Sequence, residues 1–189
     1  MNKILRYIEY FYFWLASGLP IKNLKNIKGR VTIDDKVTIS VSPSSKIYSL
    51  KVSGTGTVNI SENVEIRDLY IHISENGYVH IGRGTFIGHG VKILSHNTLS
   101  LGENCLIAPN VVIVDNNHIV NSMPIKDSGI ISKELHIGNN VWIGASTVIA
   151  MNSFIESDVI VGAGSLVNQK LNRRSIYVGS PVKFIREKD

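Results

Sequence analysis

Aliphatic residues recur along this chain with a period of six. Ile81, Ile87 and Ile93 set the beat; after a slip of two residues Leu101, Ile107 and Ile113 resume it; Ile137, Ile143, Ile149, Ile155, Val161 and Val167 carry it on. The next position is often Gly or Ala, as at Gly82, Gly88, Gly102, Ala108, Gly138, Gly144, Ala150 and Gly162. Four residues after the aliphatic stands a small or β-branched side chain: Thr85, Val91, Cys105, Val111, Val141, Thr147, Ser153, Val159 or Ser165. A period of six matches neither a helical turn nor simple two-residue alternation. It does match a coil of short strands with a corner after each. The aliphatic and the small residue then point inward, and the residue following the aliphatic enters a tight corner that suits glycine. Stacked coils bury one continuous apolar column. The expected fold class is all-β, a parallel β-helix solenoid. Weaker beats at Ile60 and Ile66, and β-type runs from near Val31, place the repeats over residues 30–170.

The beat fails once, at "VIVDNNHIVNS", residues 112–122. Residues 114–136 leave the column as a loop, because Ile137 falls 24 positions after Ile113, back in phase. A histidine, His118, sits in the break. A packed column has no room for chemistry, whereas a loop held on a rigid scaffold does.

The first twenty residues follow a different rule. Ile4, Ile8, Phe11 and Leu15 in "ILRYIEYFYFWLA" are spaced for an amphipathic helix ending near Gly18 and Pro20. Its other face carries Tyr7, Tyr10, Phe13 and Trp14, so it is not expected to stand free in water. It is too short, and too interrupted by Arg6 and Glu9, to cross a bilayer. Packing on the solenoid or a sister subunit is the first reading, and contact with a membrane surface the second. The chain therefore divides into a helix over 1–20, a solenoid domain over 21–170 and a basic segment over 171–189.

Composition fits one ordered domain of 189 residues, 43% hydrophobic and 19% charged. The single cysteine, Cys105, falls on an inward position and reads as a core thiol. One cysteine allows no internal disulfide, which favours a reducing, cytoplasmic setting. The formal charge of +5 gathers toward the ends, at Lys22, Lys25, Lys28 and Arg30, then at Lys170, Arg173, Arg174, Lys183, Arg186 and Lys188. No nucleic-acid motif accompanies it. A phosphorylated small ligand suits such charge equally well.

The repeats resemble those of the hexapeptide-repeat acyltransferases, which fold as left-handed parallel β-helices. The resemblance is closest to galactoside and maltose O-acetyltransferases and to surface-polysaccharide O-acetyltransferases. It is carried over residues 97–186 by "IGNNVWIGA" (137–145), "IVGAGSLV" (160–167) and "GSPVKFIR" (179–186), with a loop of the galactoside type. Residues 1–80 do not share it. The resemblance implies a homotrimer, acetyl-CoA as donor, a sugar acceptor, an active site between subunits and His118 as general base. It also implies an oxyanion donor at Ala145; where relatives carry Ser there, Ala offers only its backbone N–H. Gly144, Ala145, Gly162 and Ala163 would let pantetheine lie against the coil. Asn168 and Gln169 stand where relatives have Thr-Lys, with Lys170 adjacent to replace that charge. Lys183 and Arg186 match positions that reach the nucleotide phosphates.

On the acceptor side the pattern departs. Galactoside-type enzymes use an asparagine near Gly88, and here His89 follows that glycine. A simple β-galactoside is therefore not the expected acceptor. Asp115, Asn116 and Asn117 offer contacts to sugar hydroxyls, or serve as turn residues. Trp142 faces outward beside the site or packs under the loop. Three other functions fit the sequence less well. N-acetylation of a nucleotide-linked amino sugar is the runner-up within the acyltransferases, but its extra N-terminal nucleotide-binding domain has no Gly-rich signal here. A γ-type carbonic anhydrase needs a second histidine five residues after the first, and Met123 stands there, so no metal is expected. A non-catalytic scaffold leaves the loop histidine unexplained.

Overall fold

The computed structural model describes residues 27–120 and 124–188. The helix expected over residues 1–20 lies outside the described residues. Within them the chain is a parallel β-solenoid of three faces, and the only helical element is a 3-10 turn, Ile125–Asp127. On the first face Ile47, Ile66, Ile87, Ile107, Ile143, Val161 and Tyr177 stack in register. The second face stacks Ile33, Val52, Ile71, Ile93, Ile113, Ile149 and Val167. The third stacks Val41, Ile60, Ile81, Leu101, Ile137, Ile155 and Leu171. All but the first-coil Val41 are buried, and together they form one column. Burying each such aliphatic side chain is worth about 1.5–3 kcal/mol. The small residues four positions on, from Thr85 to Ser165, are buried as the spacing predicts.

The corners explain the rest of the hexapeptide. The third residue after the aliphatic takes a left-handed conformation at Asn63, Gly84, Gly90, Asn104, Asn110, Asn140, Ser146, Asp158, Gly164 and Arg174. Gly and Asn adopt this region at least cost, which is why they dominate the set. The residue just after the aliphatic instead meets the next coil. A Cβ added at Gly144 would lie 2.4 Å from the Ala163 nitrogen.

Coil length varies most at one corner. The step from third face to first is six residues in every coil, and from first to second it is five or six. The step from second to third runs from Ile33 to Val41, Val52 to Ile60, Ile71 to Ile81, Ile93 to Leu101 and Ile113 to Ile137. The two-residue slip read from sequence is this corner in one coil, and the 24-residue break is the same corner in the next.

Two boundaries move. The excursion is shorter than 114–136: Val114 ends a strand paired with Leu94, Asp115 is buried at the corner, and Leu135–Ile137 is already a strand of the third face. The solenoid also continues past residue 170. Leu171 and Tyr177 extend the column, and Lys183–Glu187 pairs antiparallel with Ser175–Val178. Cys105 is buried, its thiol donating to the Gly138 carbonyl oxygen at 3.1 Å, and burial pushes its pKa up, against the opposing effect of its hydrogen bonds. That is the behaviour of an inert core thiol.

Candidate active site

The excursion folds as an antiparallel hairpin, Asn116–His118 against Ile130–Ser132. Its pairing is Asn116 with Ser132, Asn117 with Ile131 and His118 with Ile130. His118 is exposed, and the only hydrogen bond it makes to a described residue is from its backbone N–H to Asn117 Oδ1 at 2.9 Å. Among the described residues nothing engages the imidazole. Beyond it the Ile119 N–H donates to the Gly129 carbonyl oxygen, and Ser128 Oγ donates to the Ile119 carbonyl oxygen.

The residues expected to hold sugar hydroxyls divide. Asn117 is exposed beside His118. Asn116 turns its Nδ2 back to the Leu94 carbonyl oxygen at 3.3 Å. Asp115 is fully buried, with both carboxylate oxygens accepting hydrogen bonds from the preceding coil, so no sugar reaches it.

Most of the other candidates lie along one edge, where the first face turns into the second. Gly88 and His89 occupy that edge in one coil, Gly144 and Ala145 two coils on, and Gly162 and Ala163 in the coil after that. At a strand spacing near 4.8 Å, His89 and Ala145 are about 10 Å apart along the edge. Gly88 is buried, its would-be Cβ 2.9 Å from the Pro109 nitrogen, so it is a packing residue. The Ala145 carbonyl oxygen accepts from the Gly164 N–H at 2.8 Å, while the Ala145 N–H donates to no described residue. A free N–H here is a property of the turn, since Pro109 fills the same place one coil earlier. It is nonetheless a preset donor of the kind that stabilises an oxyanion.

Trp142 sits just before this edge on the first face, 48% exposed, in line with Leu106, 42% exposed, and Ile160. Lys183 is exposed at the start of the last strand, paired with Val178, whose side chain also covers Gly162. Arg186 is exposed on the same strand, with its Nη1 donating to the Glu187 carbonyl oxygen at 3.1 Å. Asn168 is exposed, and Gln169 is tied to the Val182 carbonyl oxygen by its Nε2. Lys170 is placed elsewhere: it lies on the third face, 2.7 Å from Glu156 Oε1. The hydrogen bond from Lys170 is the chief reason that Glu156 is held below the usual carboxylate range.

The hairpin leaves from the opposite edge of the second face, where it turns into the third. The width of that face separates the hairpin root from Ala145 in one chain. Among the described residues no three His, Cys, Asp or Glu side chains come together as a metal site.

Over 153 residues the chain is 34% identical to the galactoside O-acetyltransferase of Escherichia coli strain K12, covering 75% of each protein. The chain belongs to the hexapeptide-repeat acetyltransferase family. It is an acyltransferase by that membership, although no protein-family model matches it. The fold of the family extends to a polysialic acid O-acetyltransferase, with TM-score 0.69, 23% identity, and coverage of 86% of this chain and 83% of that one. A hexapeptide-repeat acetyltransferase from Vibrio cholerae O1 biovar eltor, solved with acetyl-CoA, matches at TM-score 0.58 and 27% identity over 63% of this chain and 65% of that one. These matched structures thus share the coil fold of this chain.

Proposed function

We propose that this protein transfers an acetyl group from acetyl-CoA to a sugar hydroxyl, with His118 as the general base, in the synthesis of a bacterial surface polysaccharide. The observation that carries the reading is an uncommitted histidine on a hairpin extruded from a rigid coil, in a chain 34% identical to a galactoside O-acetyltransferase. A sugar hydroxyl is a weak nucleophile at neutral pH. A neutral imidazole within hydrogen-bond reach removes its proton as the oxygen attacks the thioester carbonyl carbon. The carbonyl oxygen becomes an oxyanion, and the Ala145 N–H is the donor assigned to it. Collapse breaks the C–S bond, and coenzyme A leaves as its thiol. The left-handed winding of the coil, and a cytoplasmic setting suited to one reduced cysteine and this donor, belong to the same proposal.

The assembly we propose is a homotrimer in which the hairpin of one subunit meets the first-to-second edge of the next. Support comes from the two halves of the chemistry standing on opposite edges of one face, and from the exposed apolar pair Leu106 and Trp142 beside the second half. Light scattering is expected to give three times the chain mass; a stable, fully active monomer would contradict it.

Lys183 and Arg186 are assigned to the phosphates of the donor. A hydrogen bond to a charged group is worth about 1.5–3 kcal/mol. The double change Lys183→Ala with Arg186→Ala is therefore expected to raise the acetyl-CoA KM by about tenfold or more, with a smaller effect on kcat. The assay is release of the coenzyme A thiol in the presence of a sugar acceptor. An unchanged KM would reduce both residues to surface charge.

A further inference from the structure

We infer that Asp115 is the positioning residue for His118, a role that rests on the proposed use of His118 as base. Asp115 stands three residues before the histidine, is fully buried, and among the described residues no cation lies within the distance of an ion pair. A buried carboxylate is costly unless its oxygens are fully hydrogen-bonded. Here they are. Oδ1 accepts the His96 N–H at 2.8 Å and Asn116 Nδ2 at 3.3 Å. Oδ2 accepts Ser95 Oγ at 2.8 Å, the Asn97 N–H at 3.0 Å and the His96 N–H at 3.1 Å.

All of these donors but Asn116 belong to the second-to-third corner of the preceding coil, where the rest of the hairpin root converges. The Asp115 carbonyl oxygen accepts the Lys133 N–H at 3.0 Å, which closes the root between the outgoing and returning strands. Asn97 Nδ2 donates to Ser132 Oγ on the returning strand at 3.4 Å, and Asn116 Nδ2 reaches the Leu94 carbonyl oxygen. Beyond the root the described hairpin residues are mostly exposed. Val120, Ile125, Ile130 and Ile131 are exposed, and no residue of the 3-10 turn is buried. The carboxylate therefore ties the outgoing strand to the rigid column, the Asp115 backbone carbonyl and Asn97 hold the returning strand at the same corner, and Asp115 sets the direction in which His118 leaves it.

The charge-assisted geometry is specific. Asparagine has the same shape, but either orientation of its amide sets an NH2 group against a backbone N–H, of His96 on one side or of Asn97 on the other. Ser95 can turn its hydroxyl proton to the Asn97 carbonyl oxygen at 2.9 Å and accept from such an NH2, but the backbone N–H groups cannot turn, and they lose their acceptor. Asp115→Asn thus loosens the root without opening a cavity in the column.

A misplacement of about 1 Å at a reacting group can cost about 10²-fold in rate. Asp115→Asn is expected to lower kcat by about that factor while the acetyl-CoA KM stays unchanged, since the donor contacts lie on other coils. Amide hydrogen exchange is expected to quicken at Ile119 and Lys133 and to stay unchanged at Ile149 and Ile155. The deciding experiment is a double-mutant cycle with His118→Ala. A residue that acts only through His118 has nothing left to position once the imidazole is gone. The double variant is expected to match His118→Ala alone. If it is slower than His118→Ala by the full factor seen for Asp115→Asn in the wild-type background, the positioning role is overturned while His118 stands as base. If His118→Ala is itself fully active, the base assignment fails instead. Ser95→Ala, which removes one donor and keeps the carboxylate, carries the same cycle should Asp115→Asn fail to fold.

Discussion

Replacing His118 with alanine is expected to slow acetyl transfer by about 10²–10⁴-fold, the usual contribution of a positioned acid–base group. The melting temperature is expected to stay within a degree or two of wild type. The side chain is exposed on the hairpin, makes no hydrogen bond to a described residue and touches nothing in the buried column. The acetyl-CoA KM is expected to change little, because Gly144, Gly162 and Lys183 stand on coils that the substitution does not disturb. The pH dependence follows from the same role. Protonation occupies the nitrogen that must accept the hydroxyl proton, so the wild-type rate falls as the medium is made acidic. That limb is expected to vanish in the variant. Steady-state kinetics across pH and thermal unfolding of the two proteins check all four statements. A fully active variant would remove His118 from the chemistry and turn attention to His89, on the edge that carries Ala145.

The largest loss of stability is expected from the column. Ile107 is fully buried on the first face, stacked between Ile87 and Ile143. Truncation to alanine removes its transfer energy and leaves a cavity that its neighbours cannot fill, because the strand above and the strand below are both fixed in register. The cost is about 2–5 kcal/mol. In a domain of this size that corresponds to about 5–20 °C in Tm. Thermal unfolding followed by circular dichroism measures it. An unchanged Tm would mean that the column is not where the fold keeps its stability. The two variants are complementary: one loses rate and keeps stability, the other loses stability and, while folded, keeps rate.

The column was legible in the sequence because its signal repeats. Each aliphatic and each small residue occupies an equivalent place, so Ile81 to Val167 and Thr85 to Ser165 are all buried as the period of six requires. The N-terminal coils were less legible because the second-to-third step there takes eight or ten residues, which throws the count out of phase between Val52 and Ile60 and again between Ile71 and Ile81. The left-handed corner position, three after the aliphatic, was present as recurring Asn and Gly and passed unread.

For the site, a histidine in the one break of the period was enough to single out His118. Asp115 was misread because its partners are distant in sequence. A polar residue before a loop looks like a turn or a sugar contact, and only the fold brings Ser95, His96 and Asn97 of the preceding coil onto its carboxylate. Lys170 stands apart from the other donor-side residues for a related reason. One residue separates it from Gln169, but that residue carries the chain onto the third face, where Glu156 holds it. The placement of Ala145 and the hairpin on opposite edges also escaped the linear pattern, since phase says that a residue faces outward but not which corner it occupies.

Incubating the protein with acetyl-CoA and a panel of sugars and glycans, and reading the products by mass spectrometry, tests the central claim most directly. The predicted result is an acceptor that gains one acetyl group, as an ester released by mild alkali, with the product lost when His118→Ala replaces the wild type. An alkali-stable amide product, equal product from His118→Ala, or no acetylated acceptor across the panel would contradict it.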